Sequence, residues 1–440
     1  MARIRQQVLG DCDLVIIGGG PAGCSMALNL QRLNPRLARR SVLLEKSFHP
    51  REKICGGALT LNAERLLSEL DINVSVPYAP VHNVRLTYGQ VAIDLAEDGC
   101  AKKVVRRRDF DGMLWQTAKE RGFTVVEGVH VTKVVRQPDH LQIHTTHGYY
   151  RAKVAVGADG VGAILRKTPG FHKKKAPARL WLAETPVDPE ATQVFREQVL
   201  LIDLSYIRRG VRGYYWEFPC FVDGQAFASR GLVDSNPDRL SRIRGKELLS
   251  EILVERGVPM EGARKKAFPM RHFNPKDVFA QPRMLLIGDA LGSDSLFSEG
   301  ISQAISFGRI AAEAVIDGFQ RNDLSFASYR KRVLASRVGQ ELRACTRLAK
   351  CFYGTHMEFF LSLLREDEQL RDLLAHSYAG TADLHQSTRL ILNALLKHVP
   401  SAKARIRRLR ECAGFAASSS DHRRSRSLSE KTMAEMVSQE

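Results

Sequence analysis

The chain has 440 residues, of which 44% are hydrophobic and 26% charged, a composition typical of a globular protein large enough for two cores. Its 66 lysine and arginine residues outnumber its 48 acidic residues, and the formal net charge of +18 favours anionic ligands or partners. Eight cysteines without zinc-ligand spacing, and no apolar run of about 20 residues, exclude a disulfide scaffold, a zinc module and a membrane-spanning protein.

The first predicted element is a short apolar strand from Asp13, followed by a glycine-rich turn and a helix. In dinucleotide-binding proteins such glycines allow a tight turn, a close approach of the diphosphate and close packing of the helix. The helix N-terminus also offers N–H groups to phosphates. The Gly-x-Gly-x-x-Gly segment therefore predicts a dinucleotide site formed by Gly18, Gly20, Pro21, Ala22 and Gly23.

A second apolar strand, Val42 to Leu44, ends at Glu45 and Lys46, roughly twenty residues after the glycines. An acidic residue at this distance is placed to accept hydrogen bonds from a ribose. We assign both Glu45 and Lys46 to the cofactor site.

The loop after this strand contains Cys55, Gly56 and Gly57, preceded by the basic residues Arg51 and Lys53. Their positive charges would favour the thiolate and make Cys55 a candidate proton donor to a carbon atom. The alternative is that the glycines only shape the loop and that Cys55 is a small buried side chain.

Residues 81–100 and 176–280 contain short apolar and aromatic segments separated by Gly, Pro and Asp, which predict an antiparallel sheet. Within it, Tyr214, Trp216 and Phe218 alternate along a strand and therefore lie on one face. They form either an apolar wall for a substrate or an ordinary sheet core. We assign this sheet to a substrate-binding domain.

Three segments outside the predicted sheet carry charged residues next to helices or strand ends. Arg107 lies in an Arg-x-x-Phe-Asp segment, Asp159 follows an apolar strand in Gly-Ala-Asp-Gly, and Gly288 and Asp289 end a later strand. Ligands of open α/β sheets bind at the carboxyl ends of strands. We therefore expect a discontinuous nucleotide-binding domain made of residues 1–80, 101–175 and 281–345.

A helix is predicted to begin near Gly300 and Ile301, with its N-terminal amides facing the ligand. Helical patterning continues over residues 346–412 and includes a basic cluster at Arg405–Arg410. The last segment, residues 413–440, is rich in Ser, Arg and Glu, and we expect this basic tail to be disordered.

The ordered set of these motifs resembles the flavoprotein superfamily that includes p-hydroxybenzoate hydroxylase, the flavin-dependent halogenases and the geranylgeranyl reductases. The chain is most similar to the geranylgeranyl reductases, through its Lys-Ile-Cys-Gly-Gly and Tyr-x-Trp-x-Phe-Pro segments. The resemblance implies an α/β fold: a Rossmann-like FAD-binding domain with an inserted antiparallel β-sheet substrate domain and a helical C-terminal part.

The resemblance also implies roles for individual residues. Gly18, Gly20, Gly23 and Glu45 would bind the ADP half of FAD. Arg107 would lie near the diphosphate and ribityl chain, Asp289 would contact the same region, and Asp159 would support the flavin.

The resemblance favours an FAD-dependent reductase of carbon–carbon double bonds in a prenyl-lipid-like substrate, with Cys55, Trp216 and Tyr214 as catalytic residues. One alternative is a single-component flavin monooxygenase that hydroxylates an aromatic small molecule or a peptide-borne aromatic side chain. Another is a non-catalytic binder with this fold. The Trp-x-Trp-x-Ile-Pro segment of halogenases is not present, which disfavours halogenation.

We expect a hydrophobic or aromatic substrate and no specific nucleic acid. Since there is only one glycine-rich nucleotide loop, NAD(P)H would bind transiently if it is the reductant, and an acidic electron-donor protein would also suit the positive charge. We expect a cytoplasmic location with peripheral contact to an anionic membrane through the basic C-terminal part.

Overall fold

The computed structural model describes residues 7–96, 102–171, 178–235, 239–259, 261, 263–353 and 357–379. All of them belong to a compact unit that extends from Met1 to Thr388. The predicted tail at 413–440, the basic cluster at Arg405–Arg410 and the helices predicted between 380 and 412 lie outside the described residues.

The strands, in chain order, are β1 (Val8–Ile17), β2 (Ser41–Leu44), β3 (Ala58–Leu59), β4 (Tyr78–Val81), β5 (Asn83–Tyr88), β6 (Val91–Ala96), β7 (Lys102–Val105), β8 (Thr124–Val126), β9 (Val131–Arg136), β10 (Leu141–Thr145), β11 (Tyr149–Gly157), β12 (Ala178–Pro186), β13 (Val199–Asp203), β14 (Tyr215–Val222), β15 (Gln225–Asp234), β16 (Arg264–Met270), β17 (Ala280–Gln281) and β18 (Met284–Leu286).

The α-helices are α1 (Pro21–Leu33), α2 (Pro35–Ala38), α3 (Leu61–Ser68), α4 (Arg107–Glu120), α5 (Gln193–Arg196), α6 (Arg239–Glu255), α7 (Ile301–Gln320), α8 (Tyr329–Ala335), α9 (Arg337–Phe352), α10 (Met357–Glu366) and α11 (Glu368–Ala379). Short 3₁₀ turns lie at Gly160–Gly162, Ile164–Lys167, Ser205–Arg209 and Gly288–Ala290.

The first sheet has the strand order β17-β18-β11-β1-β2-β8, and β18, β11, β1, β2 and β8 run parallel. The antiparallel hairpin of β9 and β10 extends it from β11. Residues 13–17 of β1 are buried, as expected for a central parallel strand covered on both faces. The parallel strands bring the carboxyl ends of β1, β2, β11 and β18 to one edge, where ligands of such sheets bind.

The second sheet has the order β16-β12-β15-β14-β13-β5-β6. Its neighbours are antiparallel except for β13 and β5, which run parallel. The sheet is thus antiparallel, as predicted, at every pair of the described strands except this one. Strand β5 comes from a chain segment remote from β13, so no hairpin turn dictates their relative direction.

One face of the second sheet is covered by α6. Trp181, Tyr215 and Leu232 from the strands form a buried cluster with Leu249 and Ile252 of the helix. Because side chains alternate along a strand, the opposite face carries Trp216 and Phe218 and is left for other contacts.

Helices α1 and α7 cross closely beside the first sheet. A Cβ at Gly308 would lie 2.6 Å from the amide nitrogen of Met26, so only glycine allows this approach. The Ser25 hydroxyl donates a hydrogen bond to the carbonyl oxygen of Ile305 at 2.7 Å. This contact fixes the N-termini of both helices near the same edge of the sheet. A third, three-stranded sheet has the order β3-β7-β4.

Candidate FAD site

The three glycines of the Gly-x-Gly-x-x-Gly segment after β1 have different surroundings. Gly18 has a φ of +107°, and a Cβ there would lie 2.6 Å from the carbonyl oxygen of Ala158. A Cβ at Gly23 would lie 2.0 Å from the carbonyl oxygen of Gly18. At Gly20, by contrast, the nearest described atom is Arg51 Nη2, at 3.4 Å. Gly18 and Gly23 are therefore required by the fold itself, whereas Gly20 borders open space.

Helix α1 begins at this open space. Pro21 is its first residue, and no side chain among the described residues caps its N-terminus. Ala22 lies against Gly288, where an added Cβ would be only 2.8 Å from the Ala22 Cβ. Because the first N–H groups of a helix have no intrahelical acceptors, they remain available to an anion.

Glu45 directly follows β2 and is 5% exposed. Its Oε2 accepts a hydrogen bond from the Gly19 N–H at 2.8 Å, and its Oε1 accepts one from the Ser47 N–H at 3.0 Å. Each carboxylate oxygen can accept a second bond, so the fixed side chain can still receive ribose hydroxyls. Lys46 is exposed, and its positive charge acts on Asp159.

Two arginines converge near the N-terminus of α1 through one buried carboxylate. Asp111 is fully buried; it accepts hydrogen bonds from Arg107 Nε at 2.7 Å and Nη2 at 3.1 Å. Its Oδ2 also lies 3.3 Å from Arg51 Nη2. Burial alone would lower the pKa of Arg107, but Asp111, Cys55 and Asp289 outweigh it and raise that pKa. Asp111 thus fixes the orientation of both guanidinium groups.

The contacts of Arg51 and Asp111 were not anticipated, although both residues stand in motifs that the sequence displays. Arg51 Nε is buried and has no hydrogen-bond partner among the described residues; Glu45 Oε2 is 3.5 Å away. An unpartnered guanidinium nitrogen beside an open glycine and a helix N-terminus matches a diphosphate, which accepts such hydrogen bonds. The donor set therefore fits FAD: Arg51, Arg107 and Gly20 would contact its diphosphate and Glu45 its ribose.

Asp159 lies at the carboxyl end of β11, beside the Gly18 turn. Its Oδ2 accepts a hydrogen bond from the Ile164 N–H at 2.8 Å, so the side chain shapes the following turn. Asp159 is exposed, and Lys46 and Glu45 are the charged side chains that act on it electrostatically.

Asp289 lies in the turn after β18, between a lysine and the start of α7. Lys53 Nζ is 4.0 Å from Asp289 Oδ2 and 4.0 Å from the centre of the Phe268 ring. Burial lowers the pKa of Lys53, while Asp289 acts to raise it. A Cβ at Gly300 would be 3.8 Å from Asp289 Oδ1, and α7 begins at the buried Ile301. The N-terminus of α7 therefore lies at the same crevice as the glycine turn.

The Cys55 loop packs on the aromatic face of the second sheet. A Cβ at Gly56 would lie 2.8 Å from the Phe218 ring and 3.5 Å from Trp216 Nε1. The half-buried Cys55 accepts a hydrogen bond from the Gly57 N–H at 3.4 Å. The structure thus brings two distant motifs into contact, one from the loop after β2 and one from β14.

Of the two basic residues expected beside Cys55, Arg51 contacts Glu45 and Asp111. Lys53 and Arg107 both interact electrostatically with Cys55. Arg107 was missed here because it lies on α4, more than fifty residues along the chain.

Tyr214, Trp216 and Phe218 lie on one face, with ring centres 6.4 and 6.5 Å apart along the row. All three are at most 7% exposed. The Tyr214 hydroxyl donates a hydrogen bond to the carbonyl oxygen of Phe297 at 2.6 Å, which ties the sheet to the turn before α7. A Cβ at Gly231 would be 2.1 Å from the Trp216 ring, so the indole fills the space above that glycine.

Among the described residues, no group of three or more His, Cys, Asp or Glu side chains could hold a metal ion. In the same part of the chain, no helix is both long and apolar enough to cross a membrane.

The family described as FAD binding domain matches residues 11–292 of this chain. A digeranylgeranylglycerophospholipid reductase of Methanosarcina acetivorans is 24% identical over 426 residues, which cover 88% of this chain and 98% of that protein.

Solved structures share the fold. A geranylgeranyl bacteriochlorophyll reductase-like protein of Thermoplasma acidophilum superposes with a TM-score of 0.67 at 19% identity, over 87% of this chain and 99% of its own. A variant of the halogenase PltM in complex with FAD superposes with a TM-score of 0.59 at 16% identity, over 92% and 95% of the two chains.

Proposed function

The chain belongs to the FAD-binding domain family and is an FAD-dependent oxidoreductase, and we propose that it reduces carbon–carbon double bonds in a prenyl-lipid-like substrate. The observation that carries the proposal is the contact between the Cys55 loop and the Trp216–Phe218 face. It places a thiol, two cations and an apolar aromatic surface together beside the cofactor crevice.

Reduction of a carbon–carbon double bond requires a hydride at one carbon and a proton at the other. Bound FAD, once reduced, supplies the hydride. Cys55 supplies the proton, and water reprotonates the thiolate that is left. Trp216 and Phe218 exclude water from an extended apolar substrate. The two electrons come from NAD(P)H or from an acidic electron-donor protein.

The reductase relative from Methanosarcina acetivorans supports the choice of a prenyl lipid, because the similarity extends over nearly its whole length. Reductase chemistry also agrees with a cysteine in the loop and with the apolar character of the sheet face.

A second candidate is a monooxygenase that hydroxylates an aromatic ring. It is favoured by the row of Tyr214, Trp216 and Phe218, whose edge-to-face and tilted rings form an aromatic environment next to the Cys55 loop. The two reactions share the fold, so product mass must separate them.

The test incubates the FAD-loaded protein, reduced beforehand, with unsaturated prenyl lipids without oxygen and with aromatic compounds in the presence of oxygen. A lipid product heavier by two hydrogens for each double bond supports the reductase. An aromatic product heavier by one oxygen, with the lipids unchanged, overturns it and supports the monooxygenase.

The role of Cys55 is tested with Cys55→Ser and with Cys12→Ser as the matched control, because Cys12 is a half-exposed thiol on β1. We expect Cys55→Ser to retain reducible FAD and to form product at least tenfold more slowly, since a hydroxyl is a much weaker acid than a thiol. Wild-type rates in Cys55→Ser would assign the thiol to packing alone.

A further inference from the structure

The turn that precedes α7 contains two carboxylates whose surroundings differ. Asp294 is 3% exposed, and its two oxygens accept hydrogen bonds from the N–H groups of Leu296 and Phe297 at 2.7 and 2.8 Å. Glu299 accepts hydrogen bonds from the Ser302 N–H, at 3.1 Å, and from the Ser302 hydroxyl. Asp294 is thus held by the backbone of its own turn, whereas both partners of Glu299 belong to the first turn of α7.

Further titratable groups face this turn from α9 and from the residue that follows it. Glu341 and Cys345 of α9 both interact electrostatically with Glu299, and Cys345 also interacts with Asp294. Glu341 pairs with Arg337 on its own helix at 2.9 Å. Tyr353 donates a hydrogen bond to the carbonyl oxygen of Leu296.

Two more groups come from residues next to strands of the second sheet, one before β14 and one after β16. Tyr214 donates to the carbonyl oxygen of Phe297, and His272 Nδ1 lies 3.2 Å from the carbonyl oxygen of Asp294. Burial lowers the pKa of His272, so its ring is neutral at physiological pH. The charges that act most strongly on Glu299 are therefore the carboxylates of Asp294 and Glu341.

Two opposing effects act on Glu299. The hydroxyl and the N–H of Ser302 favour the carboxylate, as does the N-terminus of α7. Burial, reinforced by Asp294 and Glu341, outweighs them and raises the pKa of Glu299 to about 7. Small additional negative charge nearby is then sufficient to protonate this side chain at neutral pH.

Glu299 immediately precedes Gly300, which lies beside Asp289 in the crevice that fits FAD. Reduction of FAD bound in this crevice would add negative charge close to Glu299. We propose that Glu299 takes up a proton when the bound FAD is reduced, and so holds a proton beside the flavin. The inference rests on FAD binding and is independent of the substrate assigned above.

The balance of the step is simple. Two electrons enter the flavin from an electrode through mediators, one proton binds to the reduced flavin, and a second proton from water binds to the Glu299 carboxylate. No protein bond is formed or broken apart from this O–H bond. Without Glu299 the second proton is not taken up at neutral and alkaline pH.

The experiment measures the midpoint potential of the holoenzyme by mediated potentiometry from about pH 5.5 to about pH 9. The slope against pH counts the protons taken up for each two electrons. We compare the wild type with Glu299→Gln, which keeps the shape and the Ser302 contact, and with Glu313→Gln as control. Glu313 lies on α7 and pairs with Arg309 on the surface.

We expect wild type and Glu313→Gln to take up one proton more than Glu299→Gln above about pH 7, and the same number near pH 5.5. Identical slopes for wild type and Glu299→Gln at every pH would overturn the proposal. If Glu299→Gln fails to hold FAD, the wild type alone decides. Its reduced-minus-oxidised infrared spectrum at about pH 8 must gain a protonated carboxyl C=O band, and a spectrum without that band refutes the inference.

Discussion

Replacement of Gly20 by alanine separates the folding role of the glycine turn from its role in FAD binding. Gly20 has φ −86° and ψ −176°, an extended conformation open to any residue. The added Cβ would meet only Arg51 Nη2 among the described atoms, at the ordinary contact distance of 3.4 Å. We therefore expect the FAD-free variant to unfold within about 1 kcal/mol of the wild type, the usual cost of alanine at a helix N-cap.

FAD binding responds differently, because the methyl group occupies the space that the diphosphate needs. Displacing the diphosphate breaks at least one charge-assisted hydrogen bond, worth about 1.5–3 kcal/mol. Since each 1.4 kcal/mol is a factor of ten in Kd, Gly20→Ala should weaken FAD binding by roughly 10- to 150-fold. Titration of FAD-free protein with FAD, followed by flavin fluorescence or calorimetry, measures this change directly.

Two other glycine variants serve as controls for Gly20→Ala. Gly23→Ala places its Cβ 2.0 Å from the carbonyl oxygen of Gly18 and should destabilise the fold with or without FAD. Gly10→Ala meets the Tyr150 ring at 3.6 Å and should leave both properties unchanged. A Gly20→Ala protein that folds and binds FAD with wild-type affinity would show that the diphosphate does not pass over this turn.

Four further predictions follow from the site. Asp289→Ala should release FAD on gel filtration more readily than Asp159→Ala, because the Asp159 carboxylate is engaged by a turn N–H; equal flavin content would contradict this. Glu45→Ala should lose FAD without unfolding, and the flavin extracted from wild type should be FAD and not FMN by mass. Gly56→Ala should keep FAD but slow turnover, since its Cβ would lie 2.8 Å from the Phe218 ring and displace the loop; unchanged turnover would argue against a role for this contact. The raised pKa of Glu299 means that the folded FAD-free protein binds a proton at this residue more tightly than the unfolded chain does. The stability that this difference contributes is complete below about pH 4.5 and is lost as the pH rises to about 7. In urea titrations at about pH 8, Glu299→Gln should therefore be more stable than wild type, by at most about 3 kcal/mol, and a less stable variant would refute the assignment.

The sequence by itself determined the elements whose chemistry is local. The glycine turn, Glu45 after β2 and Asp289 after β18 each lie at the end of an apolar strand, and the parallel pairing of those strands brings their ends to one edge. Strand periodicity and turn residues encode this arrangement within short windows. The FAD cofactor, the α/β fold class and the start of α7 at Ile301 were accordingly predicted and confirmed.

Only the tertiary structure decided which remote residues meet. Asp111 holds Arg51 and Arg107 together across some sixty residues, and Gly56 contacts Phe218 from a loop more than 150 residues earlier. The parallel pairing of β13 with β5 is of the same kind. Such contacts depend on how separate chain segments pack, and local hydrophobic periodicity carries no information about that packing.

The same reason explains why Glu299 was absent from the sequence-based list of site residues. In the sequence it is one acidic residue before a helix, a position that favours an ionised carboxylate. In the folded protein, burial with Asp294 and Glu341 reverses that preference. The sequence identified where α7 begins. How Glu299 titrates was decided by the three-dimensional packing, because desolvation depends on every element packed around a group.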